Sequence, residues 1–123
     1  MLFRSSRNND WFRNKSETEI LDILTSWGVN AVFGVHEDRA LSEVLRRGGI
    51  KIFAEFGVFV GDGYWTRFPG SRPVTSEGRI LEKEEWYAGV NPSSEQVRKE
   101  KLADFQAMLE TCQLDGVWLD FIR

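Results

Sequence analysis

Three times along this chain an apolar helical stripe passes through a small polar turn straight into a short buried strand. The junctions are Gly28-Val29-Asn30-Ala31-Val32, Gly49-Ile50-Lys51-Ile52 and Leu114-Asp115-Gly116-Val117. Strands that each follow a helix after a short connection pair parallel with right-handed crossovers, which confines the chain to an α/β architecture.

The first helix announces itself through Ser16-Glu17-Thr18-Glu19, a capping box in which hydroxyl and carboxylate satisfy orphan amides reciprocally. Ile20, Ile23, Leu24 and Trp27 follow at helical spacing, Gly28 stops the helix, and Ala31 to Val35 reads as a buried strand. Asp38 then caps a helix bearing Leu41, Val44 and Leu45, ended by Gly48-Gly49, and Ile50 to Val60 reads as the next strand. From Gly61 to Gly89 the rhythm breaks into a long segment rich in Gly, Pro, Ser and charge. Ser93 with Gln96 forms a second capping box behind Pro92, and Leu102, Phe105, Leu109 and Cys112 mark the stripe of a helix ending near Gln113. Gly116 to Phe121 is the last strand, and Leu2-Phe3-Arg4 is a candidate leading one.

A doubly wound sheet that binds a dinucleotide needs a glycine-rich turn feeding a phosphate-cradling helix after its first strand. The turns here read His36-Glu37-Asp38-Arg39 and Gly61-Asp62-Gly63-Tyr64, so a β/α barrel is favoured. The expected organisation is one partial barrel domain over residues 1–123, with 61–89 as a long loop at its active end.

Composition removes several function classes. The net charge of -3 arises from well-mixed signs, which favours neither a nucleic-acid nor a membrane-surface partner. One cysteine, Cys112, and one histidine, His36, leave no internal disulfide and no cysteine- or histidine-rich metal cluster; neither a metal nor another cofactor is expected. No apolar run reaches membrane-spanning length, and Met1 to Arg7 lacks the apolar centre of a signal peptide, so the chain as given is read as soluble. Aromatic residues are abundant at 13%, and Tyr64, Trp65, Trp86 and Tyr87 fall in the loop, where they either stack on flat ligands such as sugar rings or pin the loop down.

In a β/α barrel the chemistry lies at the C-terminal ends of the strands. Alternation along the last strand sends Val117, Leu119 and Phe121 toward the helices, and Gly116, Trp118 and Asp120 toward the interior. A carboxylate in so apolar a run is costly without a partner or a task. On the preceding strand Ile52, Ala54 and Phe56 face outward, leaving Phe53, Glu55 and Gly57 inward; one strand earlier, Val32 and Gly34 inward would set His36 at the rim. Asp120, Glu55 and His36 thus converge as an acid/base constellation. Glu55 has a structural alternative as the partner of Arg4 or Arg123, and His36 as a cap of the next helix.

The stretch Trp86-Tyr87-Ala88-Gly89-Val90-Asn91-Pro92-Ser93-Ser94-Glu95-Gln96-Val97-Arg98, a helix, and then Leu114 to Arg123 resembles the glycoside-hydrolase-like TIM barrels, relatives of the α-amylase and α-galactosidase type of glycosidase. In those, a Pro…Val-Arg helix start precedes a fourth strand reading roughly Asp-Gly-aliphatic-x-x-Asp-aromatic-x-Arg. The resemblance implies the N-terminal half of a (β/α)8 TIM barrel acting on carbohydrate. It implies Asp120 as the nucleophile at the end of strand four, with an acid/base partner from a later strand. It further implies that Arg123 hydrogen-bonds a sugar hydroxyl or holds Asp120 ionised, and that Trp86, Tyr87 and Trp118 line the mouth. Four strands cannot close an eight-stranded barrel. The chain is therefore expected to be a fragment without hydrolytic activity of its own, or else a half-barrel that self-associates through its open sheet edges. A non-catalytic carbohydrate-binding barrel, and a barrel enzyme holding magnesium on Glu55 and Asp120, are the alternative functions.

Overall fold

A computed structural model describes residues 2–4 by their main chain, together with residues 12–85 and 87–122. The elements are β1 (Leu2–Arg4), α1 (Glu17–Ser26), β2 (Ala31–Phe33), α2 (Arg39–Arg47), β3 (Lys51–Gly57), α3 (Gly63–Arg67), a 3-10 turn (Pro69–Ser71), α4 (Glu95–Thr111) and β4 (Gly116–Asp120). The sheet order is β1-β2-β3-β4. Its first three strands pair parallel, with Phe3 opposite Val32 and Val32 opposite Ile52. Alternating helices and parallel strands, the expected α/β pattern, are what the chain forms.

Two compact units divide the chain. One comprises Met1–Glu55 and Leu109–Trp118, the other Phe56–Met108 and Leu119–Arg123. In the first, Val32 and Ile52 are fully buried against Ile20 and Leu24 of α1 and Leu41 and Leu45 of α2. The expected caps hold the helices that supply this core. Ser16 and Glu19 form the reciprocal capping box, and Asp38 accepts from the Leu41 amide at 3.1 Å. On the other face of the sheet, the Trp118 and Phe33 rings stack at 6.1 Å and 9°, while the Phe53 ring fills the space over Gly116.

That packing corrects the expected parity of β2. Val32 lies under the helices, and it is Phe33, opposite Phe53, that takes the other face. The run Ala31 to Val35 is apolar at both parities, so alternation had nothing to fix its sense. Pairing also stops at Phe33, and after a turn at Gly34 the chain returns Val35 to the core.

Asp115, in the turn that feeds β4, ties that strand to β3. Its amide donates to the Ile52 carbonyl at 2.8 Å, and its Oδ2 accepts from the Ile52 amide at 2.9 Å. The side chain thereby stands in for a strand carbonyl beside a fully buried residue. Asp115→Ala is expected to cost about 1–3 kcal/mol, the penalty of a buried amide left without an acceptor, with Asp115→Asn losing less. Urea denaturation measures both, and equal stability of the alanine variant and the wild type would remove the role.

In the second unit, α4 begins later and faces differently than its sequence suggested. The Asn91-Pro92 turn occupies the Ser93 amide, which donates to Asn91 Oδ1 at 2.9 Å. Ser94, not Ser93, then presents its hydroxyl to the Val97 amide, at 3.4 Å. Val97 and Lys101 are buried and Phe105 is half-buried, whereas Leu102 is 58% exposed. Leu109, further along the helix, is 45% exposed. A lysine within the packed stripe disguised it. The loop is held by α3 and by bridges pairing Val74 with Ile80 and Val60 with Gly89.

Candidate functional site

Asp120 is the last residue of β4 and is half-buried. Its carbonyl accepts from the Val58 amide at 2.8 Å, and the Phe121 carbonyl accepts from the Phe59 amide at 3.0 Å. Phe121 then leaves strand geometry, with φ of +52°. A bulky residue in the left-handed region is an uncommon conformation held by its surroundings. The turn brings the Phe121 amide to Asp120 Oδ1 at 2.8 Å, which fixes the carboxylate against its own main chain. It also overturns the expected helix-facing placement of Phe121. Its ring lies 5.8 Å from that of Tyr87, tilted by 41°.

Tyr87, Leu119, Asp120, Phe121 and Ile122 enclose a concavity of about 340 Å³. Tyr87 also walls a largely apolar cleft of about 380 Å³, together with Trp65, Pro73, Leu81, Glu84 and Pro92. The loop aromatics divide their work. Trp65 Nε1 donates to the Gly89 carbonyl at 2.9 Å, its ring carries the Arg72 guanidinium at 4.6 Å, and the Tyr64 hydroxyl donates to Asp104. These two pin the loop. Tyr87 is 37% exposed and stands at the mouth of both hollows. Burial, reinforced by the Asp104 hydrogen bond, holds the Tyr64 phenol well above the ordinary tyrosine range.

The other candidates fall in several places. Glu55 is half-buried on β3 in the first unit, on the Phe53 side by strand alternation. Trp118 is 53% exposed in its stack on Phe33. His36 follows β2 in the connection to α2, and the parity of Val32 that was to orient it is reversed. It sits in the turn before α2 and lines a hollow of about 650 Å³ with Ser42, Arg46, Cys112 and Gln113. Its Nδ1 is buried without a hydrogen-bond partner among the described residues. The capping role belongs instead to Asp38. Trp86 and Arg123 lie outside the described residues. Among the described residues no three His, Cys, Asp or Glu side chains are grouped to hold a metal ion, and no helix is long and apolar enough to cross a membrane.

Sequence reasoning missed Lys101. Its Nζ donates to the Gly57 carbonyl at 2.7 Å and the Val60 carbonyl at 2.8 Å, and lies 4.5 Å from the Tyr64 ring centroid. Burial holds its ammonium below the usual lysine range, opposed by the Asp104 charge. The detectable signal was the spacing of Val97, Lys101 and Phe105, four residues apart on one helix face.

No family profile matches the sequence, and no curated protein matches it. Solved structures do. A hypothetical protein from Ruminiclostridium thermocellum superposes with a TM-score of 0.71 at 12% identity, over 100% of this chain and 77% of that one. An alpha-amylase from Lactobacillus plantarum gives 0.70 at 11%, over 98% of this chain and 38% of that one. The GH36 alpha-galactosidase AgaA from Geobacillus stearothermophilus, in complex with 1-deoxygalactonojirimycin, gives 0.64 at 11%, over 95% and 20%. The fold is thus that of part of a TIM barrel, and the chain spans well under half the length of the amylase and the galactosidase it matches.

Proposed function

We propose that this chain supplies the strand-four portion of a carbohydrate-active barrel that hydrolyses O-glycosidic bonds, with Asp120 as nucleophile. The observation that carries the reading is Asp120 itself: a carboxylate at the end of β4, one oxygen tied to the Phe121 amide, opening on a hollow walled by Tyr87. The amylase and galactosidase likenesses support it by shared fold.

In a retaining mechanism Asp120 attacks the anomeric carbon while a second carboxyl group, about 5–5.5 Å away, protonates the departing oxygen. The same group then deprotonates the water that releases the sugar. A separation of roughly 6.5–9.5 Å would instead leave room for direct attack by water, with inversion. Strands after the fourth are the assigned source of that second group. Glu55 is proposed from its place on β3 as a further ionisable residue of the chemistry. Tyr87, Trp86, Trp118 and Arg123 are assigned to sugar contacts. The edge strands β1 and β4 are where further β/α units, or a second copy, would extend the sheet.

A second reading, carbohydrate binding without chemistry, is favoured by the apolar cleft beside Tyr87. One experiment separates the two. A protein that joins this chain to the later strands of a barrel is incubated with 5-fluoro-α-glycosyl fluorides of glucose and galactose, then digested and weighed by mass spectrometry. A glycosyl adduct on the peptide containing Asp120 is the expected result. Sugar affinity by calorimetry that survives Asp120→Asn, is lost in Tyr87→Ala, and comes with no adduct favours the binding module. Neither adduct nor affinity sinks both.

A further inference from the structure

We infer that Lys101 is a positioning residue for Asp120, acting through the strap of main chain from Gly57 to Val60; this rests on the reading of Asp120 as the reacting carboxylate. All the parts lie in one unit of the molecule. Lys101 projects from α4 and is only 9% exposed. Among the described residues no carboxylate ion-pairs with it, and its ammonium is satisfied by the Gly57 and Val60 carbonyls and by the faces of Tyr64 and Phe56, at 4.5 and 5.5 Å. An apolar side chain would fill the same volume with less desolvation, but it would leave both carbonyls unpaired. The charge at this position therefore serves the strap.

The strap is held along both of its edges. Its Gly57 and Val60 carbonyls accept from Lys101 and its Phe59 carbonyl from the Val90 amide at 3.0 Å, while its amides at Val58 and Phe59 donate to the carbonyls of Asp120 and Phe121. Gly57 makes the closure possible, since a Cβ there would stand 2.6 Å from Val60 Cγ1 and 3.6 Å from the Phe121 ring. Phe121 is the residue in the left-handed region, and its amide is the one that fixes the Asp120 carboxylate. A conformation of that kind persists only where its neighbours over-determine it. Lys101, two hydrogen bonds removed, is what keeps those neighbours in place.

The test is by solution NMR on Lys101→Met, Lys101→Arg and Gly57→Ala. In Lys101→Met the Phe121 three-bond amide–Hα coupling is expected to leave its left-handed value, the Asp120 carboxyl carbon shift to move, and amide exchange at Val58 and Phe59 to rise about tenfold or more. Val32 and Ile52 methyl signals should stay where they are. Lys101→Arg restores the coupling, because a guanidinium also bridges two carbonyls; Gly57→Ala, which opens the strap from within, reproduces the methionine phenotype. A folded Lys101→Met protein with unchanged Phe121 coupling and unchanged Val58 and Phe59 exchange overturns the inference. Should Lys101→Met not fold, the wild type decides: Val58 and Phe59 amides exchanging as fast as the amide of exposed Ser76 overturn it too. No readout involves a sugar, so failure here and failure of the glycosidase reading are separate results.

Discussion

Asp120→Asn is expected to lower glycoside hydrolysis by roughly 10⁴-fold or more, with little change in KM, in a protein that joins this chain to the later strands of a barrel. The 123-residue chain by itself should give no turnover. The substitution is nearly isosteric, and the asparagine oxygen can still accept the Phe121 amide that holds the aspartate at 2.8 Å. On the proposed reading, ground-state contacts to sugar survive, while the carboxylate assigned to form the covalent bond is gone. Removing a nucleophile in this way costs most of the chemistry that acts as a unit with it. Steady-state kinetics on an aryl α-glycoside measures the effect. A loss of less than about tenfold would remove Asp120 from the reaction.

Ile52→Ala is expected to be the most damaging single change to the fold, at about 2–5 kcal/mol. Ile52 is fully buried, lies opposite Val32 in the sheet, and has its amide and carbonyl both engaged by Asp115. Truncation leaves a cavity among side chains from both α1 and α2, where little can collapse to fill it. Domains of this size are stable by only about 5–15 kcal/mol, so the melting temperature should fall by roughly 10 °C or more. Leu102→Ala, at an exposed position of α4, is the control and should stay within about 0.5 kcal/mol. Paired thermal melts decide it, and indistinguishable melts would mean the core is not where this packing puts it.

Local chemistry carried most of what was legible beforehand. The Ser16 capping box, the Asp38 cap and the alternation of helix and parallel strand are settled within a few residues, and the chain forms them. Where the sequence misled, the deciding partner was remote or the pattern degenerate. Val32 could not be oriented from an apolar run of equal character at both parities; Ile52, its neighbour in the sheet, decided it. The inward face of α4 was misread because its central residue is a lysine, and only the carbonyls of Gly57 and Val60 make a lysine tolerable there. The orientation expected of His36 rested on that same parity. The turn at Phe121 carries no sequence mark, and the main-chain partners it meets there, the amides of Val58 and Phe59, are remote in sequence.

The exchange of hydrogen bonds between Asp115 and Ile52 also bears on the order of assembly. It joins residues 63 apart in sequence, whereas β2 meets β3 across a single helical crossover. Closing the longer loop spends more chain entropy before any contact returns it, and non-local pairings are the slow ones. β4 is therefore expected to dock late, onto a three-stranded nucleus already formed with α1 and α2. The strand that carries Asp120 would be the last to acquire its final shape, and Asp115 is the latch that commits it.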